Sequence, residues 1–235
     1  LPKTAWPPTL RILRALRFHC TLHFAIEEET AQAIRTHAHL LSYISRERIR
    51  EEFNRILLQD YPDTLQLLKD MRVLDAIAAG YTRLMNKEQN NPWHIYDVFT
   101  HTDVALNHTA GMPLEGKLAI IFHDVGKPAC EAFDADGISH YYGHAQKSVE
   151  LAKHWLKELR YDNKTIHRVL RCIAYHDYNL TPKKSTLRRY LSKFDNQLPD
   201  ALLALDVQLA DQLAKNPELA ANGVQLIRQC KELLL

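Results

Sequence analysis

An all-α protein is predicted by three observations. There are only 7 glycines in 235 residues. Alternating runs of β-branched residues are almost absent, and apolar residues recur at three- and four-residue spacing along most of the chain. At this length one large domain or two small ones can each bury an ordinary core. With 46% hydrophobic and 25% charged residues the composition is that of a globular protein, and a formal net charge of +2 leaves RNA binding open without arguing for it. No run of eighteen apolar residues offers a membrane span, and the amino end lacks the pattern of a secretory signal. Cys20, Cys130, Cys172 and Cys230 are scattered without CxxC spacing, which points to a reducing, cytoplasmic compartment rather than a disulfide framework or a thiolate zinc site. The first residue is Leu1 rather than Met, so the chain could be part of something longer.

The first helix is expected over 10–18, LRILRALRF, where Arg11, Arg14 and Arg17 recur every third position as a cationic stripe. Such a stripe is either a solvated helix face or a surface that meets phosphates. A second helix runs from Glu27 to Leu41 with acidic residues at its positive end. Ser45 is the expected N-cap of a third, with Ile49, Phe53, Ile56 and Leu57 on one face. Pro62 interrupts, and Leu65, Leu68 and Met71 mark the next apolar stripe. Polar, aperiodic Asn86–Pro92 is the expected linker, dividing a helical neck and body (1–88) from a second module (92–214) and a trailing helix (215–235).

Beyond the linker, Asp97 to His108 reads as a helix carrying His101, and Glu115 to Val125 as a more apolar one closing on His123-Asp124, with Gly126 and Pro128 as its stop. Asp136-Gly137 suggests a hairpin or an ordered loop. His144 opens a long helix through Arg160, and Asn163 caps another that leads to His176-Asp177. A short basic segment follows Pro182, then an apolar helix bearing Asp206 and Asp211. The last helix, ending VQLIRQCKELLL, either docks on its own chain or forms a homodimer contact.

Imidazoles and carboxylates at helix ends are poor core residues, because each needs a partner if buried. They are good ligands for a divalent metal. Mixed N/O ligation suits Mn, Fe, Ni, Co or Zn better than Ca. Hydrolysis of a phosphate ester needs charge compensation for the phosphoryl oxygens and a hydroxide at neutral pH, and such a metal supplies both. Taken singly, His101 on its helix, Asp211 in its apolar helix and the His123-Asp124 pair each have an ordinary structural reading. Their concentration in one module favours convergence.

That arrangement resembles the HD phosphohydrolase domain: a histidine, a His-Asp doublet on the following helix, then a distant aspartate. The resemblance implies that His101, His123, Asp124 and Asp211 ligate a metal ion, with His144 and His176 at the positions that members with a second ion add. It implies that Lys127, in HDVGK, holds the substrate phosphate, and that Asp177 orients a ligand or acts as a base, with Asp124 and Lys127 in the catalytic machinery. Mg is a further candidate metal, and the implied substrates are nucleotides or RNA ends, including 2′,3′-cyclic phosphates and 2′-nucleotides. The first half, from LRILRALRFHCTLHF to SRERIREEFNRILL, resembles the neck and body of the class II tRNA nucleotidyltransferase and poly(A) polymerase family, which makes tRNA a second expected partner, met by Arg11, Arg14 and Arg17. The alternative function is therefore the tRNA-binding portion of a CCA-adding enzyme with a structural HD domain. In that family an acidic pair precedes the first helix, but Pro7 and Pro8 stand there, and the strand-rich catalytic head has no counterpart in this sequence. Nucleotidyltransferase activity is not expected from this chain alone.

Overall fold

A computed structural model describes residues 9–235, so Pro7 and Pro8 lie outside the described residues. About two thirds of the chain is helical, and among the described residues strands are confined to one two-stranded hairpin. The first half comprises α1 (Leu10–Leu22), α2 (Glu28–His37), a 3₁₀ turn (Ala38–Tyr43), α3 (Arg46–Leu57), α4 (Thr64–Asp70), α5 (Leu74–Ile77) and α6 (Tyr81–Met85). The helix expected over 27–41 thus tightens after His37. In 3₁₀ geometry residues three apart share a face, which turns both Ala38 and Leu41 into the core. Ile49, Phe53, Ile56 and Leu57 of α3 are buried as their spacing predicts.

The second half comprises α7 (Val98–Asn107), α8 (Leu114–Phe122), α9 (Lys127–Cys130), a two-stranded antiparallel hairpin (β1 Ala132–Phe133, β2 Ser139–His140), α10 (His144–Glu158), α11 (Asn163–Ala174), α12 (Lys184–Ser192), α13 (Leu198–Leu213) and α14 (Pro217–Leu234). Asp162, one residue before the expected Asn163, is the N-cap of α11. Its carboxylate accepts from Thr165 N at 2.9 Å and from Thr165 Oγ1 at 2.7 Å, a double cap that Asn163 cannot make from inside the helix. The last helix, α14, packs on α13, with Ile227 and Cys230 buried and Lys231 paired to Asp206. No described helix is long and apolar enough to cross a membrane.

Helix α8 is the axis of the second half. Every residue from Gly116 to Phe122 is buried, and α7, α10, α11 and α13 surround it. Apart from Lys117, whose buried ammonium is answered by Asp60 and by Thr109 O at 2.9 Å, this apolar stretch has no solvent side to offer, so it takes the centre. One continuous hydrophobic core runs from α1 to α14. Tyr81, from α6, donates its hydroxyl to Ile121 O at 2.7 Å and packs edge-on against Phe122 and Trp155.

The polar stretch 86–92 has no regular structure, yet it is tied down. Asn90 and Asn91 donate side-chain amides to Gly137 O (2.7 Å) and Ser139 O (3.0 Å), and Asn90 O accepts from Ser139 N at 2.8 Å. Its polarity serves the hairpin backbone.

A buried carboxylate also joins the halves: Asp103 of α7 accepts from Leu65 N (2.9 Å) and Gln66 N (3.3 Å) in the first turn of α4. Burial raises its pKa from 3.8 to about 6, against the lowering effect of the Leu65 bond. The folded protein therefore holds this proton more tightly than the unfolded chain. The stability so contributed is fully present below about pH 4 and lost as pH rises through about 6, amounting to about 3 kcal/mol. Asp103→Asn cannot titrate. Its stability relative to the parent should rise by that order between pH 4 and pH 7 in urea unfolding, and a constant difference would contradict this account.

Candidate metal centre

Each imidazole reaches the site from a helix end or a buried helix face. His101 lies on α7, whose N-cap Asp97 accepts from Thr100 N at 2.9 Å. His123 and Asp124 follow the last residue of α8 directly, where the chain leaves the helix and two polar side chains can turn to the same side. His144 is the first residue of α10, His176 follows α11, and Asp211 lies near the end of α13. One atom from each of His101, His123, Asp124 and Asp211 falls within 4.8 Å of the others, and the same holds for Asp124, His144 and His176. Asp124 belongs to both sets.

The distances describe two sets sharing one carboxylate. His101 Nε2 is 2.9 Å from Asp211 Oδ1 and 3.5 Å from Asp124 Oδ2. His123 Nε2 is 3.1 Å from Asp124 Oδ2 and 3.4 Å from Asp211 Oδ1. On the other side, His144 Nε2 and His176 Nε2 lie 3.4 and 3.8 Å from Asp124 Oδ1, and 3.1 Å from each other.

The opposite ring atoms fix the orientation. Nδ1 of His123, His144 and His176 faces a backbone carbonyl, of Ile120 at 2.7 Å, Tyr141 at 2.8 Å and Ile173 at 2.7 Å. A carbonyl only accepts, so Nδ1 carries the hydrogen and Nε2 turns its lone pair to the cluster. Two such lone pairs at 3.1 Å, and a third beside a carboxylate, repel one another unless a cation lies among them. His123 Nε2 is buried and makes no hydrogen bond of good geometry, and Asp124 Oδ2 is met by the Lys127 ammonium at 2.7 Å. This donor set fits a divalent metal ion. Burial by itself would lower the His123 pKa, but Asp124 and Asp211 carry it up to about 9, so a proton takes up the cationic role in the metal-free site. Burial and the neighbouring His123 push His176 down to about 4. Asp124 and Asp211 are held well below the usual range against the burial penalty, Asp124 by His123 and Lys127, Asp211 by Lys215 and His101.

Lys127 Nζ sits 2.7 Å from Asp124 Oδ2 and donates to Gln89 Oε1 at 2.8 Å. Lys215 Nζ lies 2.6 Å from Asp211 Oδ2. Both lysines line an open cleft with His94, Asp177, His144 and His176. Asp177 is exposed on its rim and contributes to neither ligand set. Gln89, His94 and Lys215 are site residues beyond the sequence-level set. Lys215 had a signal, standing four residues after Asp211 just past the end of α13; Gln89 and His94 had none, being brought in by coil. Burial, reinforced by Lys127, pushes His94 down to about 2, so this imidazole is neutral.

The arginine stripe lies elsewhere, on α1. Arg17 Nε is 2.9 Å from the nearly buried Glu52 of α3, Arg14 is half-buried and Arg11 is exposed.

Residues 23–82 match the family model described as the probable RNA and SrmB-binding site of polymerase A, and residues 94–216 match the HD domain. The CC-adding tRNA nucleotidyltransferase of Thermus thermophilus is 32% identical over 216 residues, covering 87% of this chain and 49% of that protein. The A-adding tRNA nucleotidyltransferase of Deinococcus radiodurans is 29% identical over 227 residues, 91% of this chain and 51% of that protein. A CCA-adding enzyme of Bacillus cereus is 48% identical over 52 residues, 22% of this chain and 13% of that protein. The chain spans about half the length of the first two relatives.

One glycine sets the separation of the two ligand sets. A Cβ on Gly126 would lie 2.4 Å from His144 O and 2.6 Å from Ser148 N, because the turn after Asp124 rests directly on the first turn of α10. Gly126 N donates to Ser148 Oγ at 2.9 Å across this contact. Gly126→Ala should lower stability by about 1–3 kcal/mol, as overpacking does, measured by urea unfolding. Unchanged stability would show that the turn and helix do not approach this closely.

Proposed function

The chain belongs to the HD-domain family and is homologous over most of its length to tRNA nucleotidyltransferases, and from that premise we propose that its His/Asp cluster holds one or two divalent ions and hydrolyses phosphate esters of nucleotides or RNA ends. 2′,3′-Cyclic phosphates and 2′-nucleotides are the substrates proposed first. The observation that carries this reading is the sharing of Asp124 between two ligand sets, buried except for the partly exposed His144. His101, His123, Asp124 and Asp211 hold the first ion; His144 and His176, with Asp124, hold the second. The metal, when bound, supplies Lewis acidity and an acidified water.

The chain's own residues do the rest. Lys127, aimed by Gln89, places an ammonium against a phosphoryl oxygen. Lys215 balances the charge of Asp211, and neutral His94 adds no competing charge beside Lys127. Asp177, on the exposed rim, accepts a proton or orients the leaving group. Elemental analysis of protein purified without chelator should give one or two equivalents of Mn, Fe, Co, Ni or Zn, or Mg after incubation with it. Asp124→Ala should lose all bound metal and turnover, whereas His176→Ala should lose only the second equivalent. Metal content unaffected by Asp124→Ala would sink this reading.

The match at 23–82 favours a second role, in which the first half binds tRNA beside the HD site. With Arg17 occupied by Glu52, Arg11 and Arg14 are the better candidates for phosphate contacts. Arg11→Ala and Arg14→Ala should each weaken tRNA binding and reduce the salt slope by about one, while Arg17→Ala should mainly reduce stability. Binding insensitive to salt and to both substitutions would remove this role.

A further inference from the structure

At the far end of α10 from the metal centre lies a shallow depression of about 410 Å³, lined by Arg46, His154, Lys157, Glu158 and Arg160. Lys157 stands about 20 Å along the helix from His144, so the depression is remote from the cleft at Lys127. Arg46 opens α3 in the first half, while the other four residues lie on α10 and just past its end. The depression therefore spans the seam between the two halves.

Cations at the end of a helix ordinarily answer its last carbonyls. Here the backbone already does so. Leu159 N donates to Trp155 O at 2.9 Å, Arg160 N to Lys157 O at 3.0 Å and Tyr161 N to Leu156 O at 3.1 Å. The last two bonds make a Schellman closure, whose left-handed position is usually glycine. Arg160 holds that position with φ 60°, and its carbonyl accepts from Arg50. A side chain is thus kept where the backbone disfavours one. Among the described residues, neither its guanidinium nor the Lys157 ammonium has a hydrogen-bond or ion-pair partner. Arg46, half-buried, donates from Nη1 to Ala76 O at 2.7 Å, which anchors the group and leaves its other N–H donors unspent.

The charge in the depression is one-sided. Arg46, Lys157 and Arg160 face a single carboxylate, Glu158, whose Oε1 lies 3.6 Å from His154 Nε2. Cations gathered round one concavity focus their field on one place, and arginine and lysine make strong charge-assisted bonds to phosphoryl oxygens. A nucleic-acid duplex spreads its phosphates along a backbone. Two or three linked phosphoryl groups instead bring their charges together at one point.

We propose that this depression binds a compact polyphosphate, either free or as the phosphate tail of a nucleotide, and that the bound anion bridges α3 to α10. Arg46, Lys157 and Arg160 grip the phosphoryl oxygens, and Glu158 limits the affinity. The site is independent of any hydrolysis at the metal centre.

The test is calorimetric titration of the full chain with inorganic triphosphate at low ionic strength, without added divalent ions. Arg160→Gly and Lys157→Gln should each weaken binding about tenfold, whereas Glu158→Gln should strengthen it. Glycine suits the left-handed position, so Arg160→Gly should be no less stable than the parent in urea unfolding. Adenosine 5′-triphosphate, titrated alongside, separates the two sources: tighter binding than triphosphate identifies a nucleotide tail, and equal or weaker binding a free polyphosphate. Absence of triphosphate binding by the parent would overturn the proposal. So would equal affinity in the parent and all three variants, which would put the anion elsewhere. A third contrary result is tRNA binding with a reduced salt slope in Arg160→Gly and Lys157→Gln while triphosphate affinity stays unchanged, since the depression would then meet an RNA backbone.

Discussion

A carboxylate with 1% of its surface exposed must have its charge answered within the protein, and Asp124 is that carboxylate. Five side chains close around it: His101, His123, His144, His176 and Lys127. Much of the second half can be read as the means of bringing them there. Helix α8 is apolar from Leu118 to Phe122, the stretch that delivers Asp124 to the middle of the molecule. Gly126 lacks a side chain because the turn after Asp124 must rest against α10. Three imidazoles turn Nδ1 to backbone carbonyls, so that each presents Nε2 to the carboxylates.

The parts of this arrangement legible in the sequence were those written locally. His123-Asp124 ends an apolar run, and polar residues at such a point need partners; His176-Asp177 repeats the signal, though only its histidine enters a ligand set. Asp211 stands out because its helix is otherwise apolar. The longer helices follow from spacing, apart from the tightening after His37 and the capping of α11 by Asp162 rather than Asn163. The short helices α5, α6 and α9, and the helix α12 in the basic segment after Pro182, are not among the expected elements. The parts not legible depend on tertiary approach. Nothing around Gln89 distinguishes it from its polar neighbours until the coil lays it against Lys127. The same coil looks like a plain linker because asparagines that serve a hairpin backbone and asparagines that face water have the same composition. The arginine stripe is regular at three-residue spacing, but Glu52 on another helix pairs with Arg17, which leaves the stripe chemically uneven.

Charge balance links the metal centre to the ester it is proposed to hold. Asp124 and Asp211 carry two negative charges into a buried site, and Lys127 and Lys215 lie against them with two positive ones. The four groups alone are neutral. The imidazoles add lone pairs without charge, apart from the proton that His123 retains in the metal-free site. Exchanging that proton for a divalent ion leaves the cluster with a net positive charge of two, in surroundings that exclude most water and therefore screen little. A phosphoryl dianion arriving in the cleft would neutralise it. Under the proposed function, the deep placement of the carboxylates would serve an end that a surface cluster could not: their own field is cancelled by lysines already in place, so that the charge of a bound ion would be left for the substrate.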